Sequence, residues 1–163
     1  IIVTGTAKDV KRLEVAKRLG ADYTINVSEE DPLERIMEIT GGTGVDVSLE
    51  CTSGAGTIPV MLGVEALKRK GGTILLQGEL AEFPNFPLGK ATVKWITFKS
   101  ARGHGYRSCE LALEQLASNR FPLDLVTTHT YPLEEADTAV RAVAGEISED
   151  VVHVSLLPHG PVH

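Results

Sequence analysis

The strongest constraint on this chain is the repeated alternation of short apolar runs with helical stretches that stop at glycine. Residues 1–4 are β-branched and apolar and stop at Gly5, whereas residues 9–19 carry apolar side chains at helical spacing and stop at Gly20. The same pattern predicts strands at 23–27, 45–50, 73–77, 95–101, 126–130 and 151–157, and helices at 31–40, 58–70, 109–116 and 132–144. Strands separated by helices of this length are typical of βαβ units. The sequence therefore predicts an α/β fold with a mostly parallel sheet.

Composition excludes several functional classes. The 163 residues, 42% of them hydrophobic, suffice for one domain, or one domain and a fragment. A net charge of −6 does not suit a nucleic-acid binder that works through a basic face, and no apolar run is long enough for a membrane helix. Cys51 and Cys109 are too few for a disulfide framework or a four-cysteine zinc site. We expect no nucleic-acid or membrane partner and a reducing, cytoplasmic location.

The start of the chain is unusual, because residue 1 already lies inside an apolar run and no initiator Met precedes it. We therefore expect these residues to be a piece of a longer polypeptide.

Ligands on parallel sheets bind beyond the carboxyl ends of the strands. The residues just after each predicted strand are therefore the candidates for ligand contacts, and Gly5 and Thr6 follow the strand at 1–4. A second cluster, Arg102, His104 and Arg107, would face either a phosphate or solvent.

Several segments resemble, in order and spacing, the cofactor domain of medium-chain, zinc-type alcohol dehydrogenases. They are the runs RLEVAKRLGAD at 12–22, TGGTGVDV at 40–47, ECT at 50–52, KGGT at 70–73, YPLEEA at 131–136 and VVHV at 151–154. The Glu-Cys-Thr run is similar to the polyol and threonine dehydrogenase branch.

The resemblance implies a partial Rossmann-type, doubly wound parallel sheet at 1–120, followed by a C-terminal helix and strand at 121–163 that return towards a catalytic domain. The sequence has no G-x-G-x-x-G turn, which in the family follows the first strand. In the strand order 3-2-1-4-5-6, the absent strand would lie between those at 1–4 and 45–50. Two strand edges would then be unpaired, and we expect the isolated chain to be unstable or to associate.

The resemblance also implies a set of cofactor-binding residues, and no catalytic or metal-binding residue in this chain. The set is Gly5, Thr6, Arg12, Cys51, Thr52, Gln77, Gly78, Glu79, Phe98 and Ser100. Lys99 departs from the family, which usually has a small residue there, and Glu149-Asp150 replaces a basic residue that can reach the pyrophosphate. Judged as chemistry, Cys51 and Cys109 are more typical of buried packing than of nucleophiles, since Cys51 has no adjacent His or Lys.

The resemblance places Gly5 at the end of the second strand of the Rossmann sheet, where proteins that prefer NAD usually carry an acidic residue that holds the ribose hydroxyls. The missing carboxylate, with Thr6 and the basic Arg12 nearby, slightly favours NADP, while Asp9 weakens the basic patch and leaves NAD open.

The function implied by the resemblance is hydride transfer between NADP or NAD and an alcohol, a polyol or the matching carbonyl. Zinc would be bound only in the full-length enzyme, and this chain alone would be inactive. Trp95 and residues 84–94 resemble the region through which the family's cofactor domains pair, so we expect a homodimer or tetramer. Two alternatives stay open: a zinc-free quinone or enoyl reductase of the same superfamily, and a non-catalytic nucleotide-binding or interaction module.

Overall fold

The computed structural model describes residues 1–80, 82–148 and 150–158, so Glu149 and the C-terminal residues 159–163 lie outside the described part. The strands are β1 (Ile2–Gly5), β2 (Tyr23–Asn26), β3 (Val47–Glu50), β4 (Thr73–Leu76), β5 (Thr97–Ser100), β6 (His129–Pro132) and β7 (Val154–Leu157). The α-helices are α1 (Val10–Arg18), α2 (Pro32–Ile39), α3 (Ile58–Ala66), α4 (Leu88–Val93), α5 (Tyr106–Ser118) and α6 (Ala136–Val143). Short 3-10 helices lie at Ala7–Asp9, Leu123–Val126 and Leu133–Glu135.

All strand pairings between the described residues are parallel, which confirms the predicted α/β class. β1 pairs with β2, β4 lies between β3 and β5, and β6 pairs with β7. Within the described residues β1 pairs only with β2, and β3 pairs only with β4. Both strands are therefore sheet edges, in agreement with the expected strand order.

The chain divides into two compact units. The first contains the described residues of Ile1–Glu30 and Gly105–His163, and the second is Asp31–His104. This division follows spatial contact, whereas the predicted boundary at residue 120 concerns the order of segments along the chain and stays a prediction.

The core of the second unit lies between α3 and the β3–β4–β5 sheet. Val64 on α3 and Ile74 on β4 are completely buried and pack with Leu67. Ser48 lies opposite Ile74 in the register of β3 and β4, so the even-numbered residues of β3 face this core. The odd-numbered Val47 and Leu49 face away and are 53% and 57% exposed.

The predicted extension of the third helix to residue 70 is wrong, because α3 ends at Ala66. Leu67 turns to extended backbone (ψ 144°) and forms a β-bridge with Val45. Lys94 Nζ donates to the carbonyl oxygens of Val64 and Glu65, both at 2.8 Å. A basic side chain therefore satisfies carbonyl groups that the end of a helix leaves without intrahelical partners.

Other predicted elements are shifted or incomplete. No element was predicted between the strands at 73–77 and 95–101, but α4 lies there, and the strand expected at 126–130 lies at His129–Pro132. On α1 the buried residues are Leu13 and Val15, while Val10 is 61% exposed.

The predicted burial of Cys109 is also wrong, since this thiol on α5 is exposed. Leu113 and Leu116, on the same predicted apolar face, are exposed as well. Helical spacing identifies an apolar face, but it does not report whether another element covers that face.

Candidate functional site

The turns after β3 and β4 are held side by side by backbone hydrogen bonds. The Glu50 carbonyl oxygen accepts from Gln77 N at 2.9 Å and from Gly78 N at 3.0 Å, and Thr52 O accepts from Glu79 N at 3.1 Å. Cys51, Thr52, Gln77 and Glu79 are exposed around this junction. The structure thus brings five of the predicted cofactor-binding residues together at the carboxyl edge of one sheet.

A buried carboxylate lies beneath this edge. The side chain of Glu50 is 5% exposed, and its Oε1 accepts hydrogen bonds from the backbone N of Thr52 (2.6 Å) and from the Thr52 hydroxyl. Glu50 Oε2 is buried and has no hydrogen-bond partner among the described residues. A β-carbon at Gly78 would lie 2.2 Å from this oxygen and 2.3 Å from Thr52 O, so only glycine fits here.

Cys51 was expected to be buried, and the structure corrects this, because its side chain is exposed and lies 3.8 Å from Gln77 Oε1. Partial burial and the neighbouring Glu50 carboxylate raise the pKa of the Cys51 thiol. A raised pKa lowers the fraction of thiolate, the form that acts as a nucleophile. The absence of a nucleophilic role for Cys51 stays a prediction.

The β5 residues continue the same edge. Ser100 is paired with Leu76 in register, and the Ala101 amide donates to Leu76 O at 2.9 Å. Phe98 is 38% exposed and packs edge-to-face on Phe86, with ring centroids 5.3 Å apart. These two rings help to line an apolar cavity of about 280 Å³.

The basic cluster that follows β5 is exposed and forms ion pairs. Arg102 lies 3.6 Å from Glu79, and Arg107 pairs with Glu110 and Glu114. These pairs support the interpretation of the cluster as a solvated surface.

The predicted residues Gly5, Thr6 and Arg12 lie in the first unit, at the carboxyl end of β1. Thr6 N and Thr6 Oγ1 donate to Asp9 Oδ2 at 2.9 and 2.7 Å, and Arg12 donates to Asp9 Oδ1 at 2.6 Å. Burial raises the pKa of Asp9, but the hydrogen bonds from Thr6 and Arg12 outweigh it and lower the pKa. Asp9 is therefore an ionised carboxylate whose two oxygens are already occupied.

Arg12 also reaches the segment before β7, where it donates to Val151 O at 3.2 Å. In the sequence, Asp9 indicates only a weakening of the basic patch, and its contacts with Thr6 and Arg12 were not predicted. The spacing Thr6-x-x-Asp9 at a helix start is a capping-box pattern and would have indicated the contact with Thr6.

Trp95 follows α4 and has an unusual conformation. It has a positive φ of 52°, is 65% exposed, and its ring centroid lies 4.5 Å from Lys70 Nζ. Leu88 and Val93 on α4 are also exposed, so this part of the second unit presents apolar surface.

The described residues contain no group of three or more His, Cys, Asp or Glu side chains that could hold a metal ion. None of the described helices is both long and apolar enough to cross a bilayer.

The sequence profile of the family described as "Zinc-binding dehydrogenase" matches residues 1–118. The chain belongs to the zinc-binding dehydrogenase family. Sorbitol dehydrogenase from Halalkalibacterium halodurans is 32% identical over 97% of this chain and 45% of that protein. Erythritol/L-threitol dehydrogenase from Mycolicibacterium smegmatis is 30% identical over 90% of this chain and 39% of that protein.

The structure is similar to that of the alcohol dehydrogenase TADH from Thermus sp. ATN1, with a TM-score of 0.80 and 30% identity over 96% of this chain and 43% of that one. This zinc-binding dehydrogenase chain thus spans less than half the length of the relatives it matches. Its family and its Rossmann-like fold both agree with the resemblance of the sequence segments.

Proposed function

We propose that this chain is the cofactor-binding part of a zinc-dependent oxidoreductase that transfers a hydride between NAD(P) and an alcohol, a polyol or the matching carbonyl. The observation that carries the proposal is the junction at the carboxyl edge of β3 and β4, where Glu50 O accepts from both Gln77 N and Gly78 N. Ligands of parallel sheets bind at such edges. Family membership and the similarity to sorbitol and erythritol dehydrogenases support the reaction class.

Under this proposal, two groups of residues would bind the two halves of the dinucleotide. The close approach of Gly78 to Glu50 leaves the backbone of the edge uncovered by a side chain, so a nicotinamide ribose can contact Cys51, Thr52, Gln77 and Glu79. Gly5, Thr6 and Arg12 would bind the adenosine half, and Phe98 and Ser100 would flank the carboxamide. The bound nicotinamide would carry the hydride, while this chain orients the ring and limits access of water.

The described residues do not fit zinc, because they contain no cluster of three potential ligands. Under this proposal the zinc ligands, the substrate contacts and the catalytic residues lie outside these 163 residues. Segment 121–163 would return towards the catalytic domain, and the chain alone would be inactive. Zinc-dependent oxidation of a polyol by the 163-residue polypeptide would contradict this.

We also propose NADP rather than NAD as the preferred cofactor. Residue 5 has no carboxylate, and the Asp9 carboxylate already accepts hydrogen bonds from Thr6 and Arg12, which reduces its capacity to hold ribose hydroxyls. Arg12 has a half-exposed side chain that can face a 2′-phosphate.

Titration of the chain with NADPH and NADH, followed by nucleotide fluorescence, tests the proposal. We expect saturable binding of both and several-fold tighter binding of NADPH. Arg12→Leu should abolish the preference, whereas Arg18→Leu, the same change at the other end of α1, should keep it. A folded chain that binds neither nucleotide would exclude the proposed function.

For the intact enzyme we propose a homodimer or tetramer that pairs through Trp95 and residues 84–94, since Leu88, Val93 and Trp95 are exposed. A light-scattering mass of one protomer would contradict it. Because both cysteines are free, we place the enzyme in a reducing compartment and propose the cytoplasm.

A further inference from the structure

Glu50 is the described residue whose burial is hardest to explain by packing alone. An acidic side chain that is 5% exposed is unfavourable unless its oxygens are hydrogen-bonded, and an aliphatic side chain of similar size would be buried more easily. Only Oε1 has donors, the Thr52 amide and hydroxyl, whereas Oε2 has none among the described residues. The carboxylate is thus held through Thr52 alone.

The same residue joins two turns. Its side chain binds Thr52 in the turn after β3, and its carbonyl oxygen accepts from Gln77 N and Gly78 N in the turn after β4. The carboxylate also abuts Gly78 so closely that a β-carbon there would lie 2.2 Å from Oε2. The side chain of Glu50 therefore holds the turn after β3, and its backbone carbonyl holds the turn after β4 beside it.

We propose that Glu50 is a positioning residue for the nicotinamide half of the cofactor. Its carboxylate, from inside the unit, fixes the backbone of Thr52 relative to Gly78, and the exposed faces of these turns contact the ligand. The inference rests on the proposed function. It assigns a role to a residue that is itself too buried to touch the cofactor.

Two substitutions separate the hydrogen-bonding role from the packing role. Glu50→Gln keeps an acceptor oxygen for Thr52, whereas Glu50→Met keeps the length of the side chain and removes both acceptors. Asp46→Asn is the matched control, because Asp46 precedes β3 and its exposed side chain pairs with Lys68, away from both turns.

Binding of two probes, nicotinamide mononucleotide and AMP, provides the first readout. Glu50→Met should weaken nicotinamide mononucleotide about tenfold, the effect of losing roughly 1.4 kcal/mol. It should leave AMP within about twofold of the unsubstituted chain, because the residues proposed for the adenosine half lie in the other unit. Glu50→Gln and Asp46→Asn should bind both probes like the unsubstituted chain.

If Glu50→Met weakens the binding of both probes equally, Glu50 has a general structural role and the inference is overturned. If Glu50→Met weakens the binding of neither probe, the inference is overturned as well. If the unsubstituted chain binds neither probe, the proposed function fails, and local hydrogen exchange then decides the role of Glu50. In that readout Glu50→Met should speed exchange of the Thr52 and Gly78 amides but not of the buried Ile74 amide. Unchanged exchange at Thr52 and Gly78 would refute the role of Glu50 by itself.

Discussion

At the scale of single residues, Gly78 lies in the tightest packing. Gly78→Ala would place a β-carbon 2.3 Å from the Thr52 carbonyl oxygen, which is backbone and cannot move aside cheaply. We expect a loss of about 1–3 kcal/mol in the free energy of unfolding.

The matched control for this change is Gly89→Ala on α4, where no atom lies within 4 Å of the added β-carbon. Alanine in a helix should leave stability unchanged or raise it by about 0.4–1 kcal/mol. Urea unfolding of both variants measures the difference, and equal midpoints would contradict the packing described at Gly78.

The contacts of Asp9, at the predicted binding position after β1, should make the stability of the fold depend on pH. Because its pKa is lowered in the folded chain, the unfolded chain takes up the proton first as the pH falls. The stabilisation from Thr6 and Arg12 is therefore complete near neutral pH and is lost below about pH 4, where carboxylates ordinarily titrate.

Asp9→Asn should consequently be less stable than the unsubstituted chain at pH 7, and the gap should narrow as the pH falls from 5 to 3. Urea midpoints across that range measure the effect. A gap that stays constant with pH would mean that the Asp9 charge does not stabilise the fold.

The sequence predicted the exposed residues of the candidate site that follow the ends of strands. It did not predict the buried side chain beneath them. Cys51, Thr52 and Gln77 follow strands whose ends the apolar pattern marked, and the structure brings them together. The burial of Glu50 was not predicted, because the alternation in 45–50 does not reveal which face of the sheet is covered. Its carboxylate packs against Gly78, which lies on the next strand connection and is not local in the sequence.

At the scale of secondary structure elements, the start of α2 illustrates a boundary that local chemistry determines. Asp31 Oδ1 accepts from the Glu34 amide at 2.8 Å, and Pro32 occupies the first turn. Asp31→Ala should reduce stability by about 1 kcal/mol, whereas Asp31→Asn, another good cap, should change it little. Thermal unfolding of the two variants tests this, and similar losses would argue against the cap.

Element ends that depend on distant partners were not predictable in the same way. The apolar pattern continues through Leu67, but Lys94 and Val45 end α3 at Ala66 by binding its last carbonyl groups and pairing with Leu67. Helix α4 was not predicted, because it has only six residues, contains Gly89 and follows Pro87. A short segment with these residues has a low helix propensity and no clear apolar periodicity.

At the scale of the whole molecule, the unpaired strand edges predict association. β3 has no second partner strand among the described residues, and its Leu49 is 57% exposed. Exposed apolar edge strands pair readily with other chains, and a lysine blunts such an edge. We expect Leu49→Lys to reduce self-association of the 163-residue chain by severalfold, measured by sedimentation velocity.

Val140→Lys on α6 is the control for this change, because Val140 is 67% exposed but lies on no strand. It should associate like the unsubstituted chain. If the unsubstituted chain is monomeric and unfolds cooperatively, the unpaired strand edges do not cause association, and the prediction is wrong.

Trp95 is the single tryptophan in the chain, and its indole is 65% exposed beside the Lys70 ammonium. All indole fluorescence from this polypeptide therefore originates at one surface position, next to the apolar side chains of α4. A nearby cation and solvent both act on that emission, and another protein surface placed over the ring would remove the solvent. Trp95 is thus an intrinsic fluorescent probe of the surface beside α4. The emission wavelength of its indole can report the docking of another subunit there without an added label.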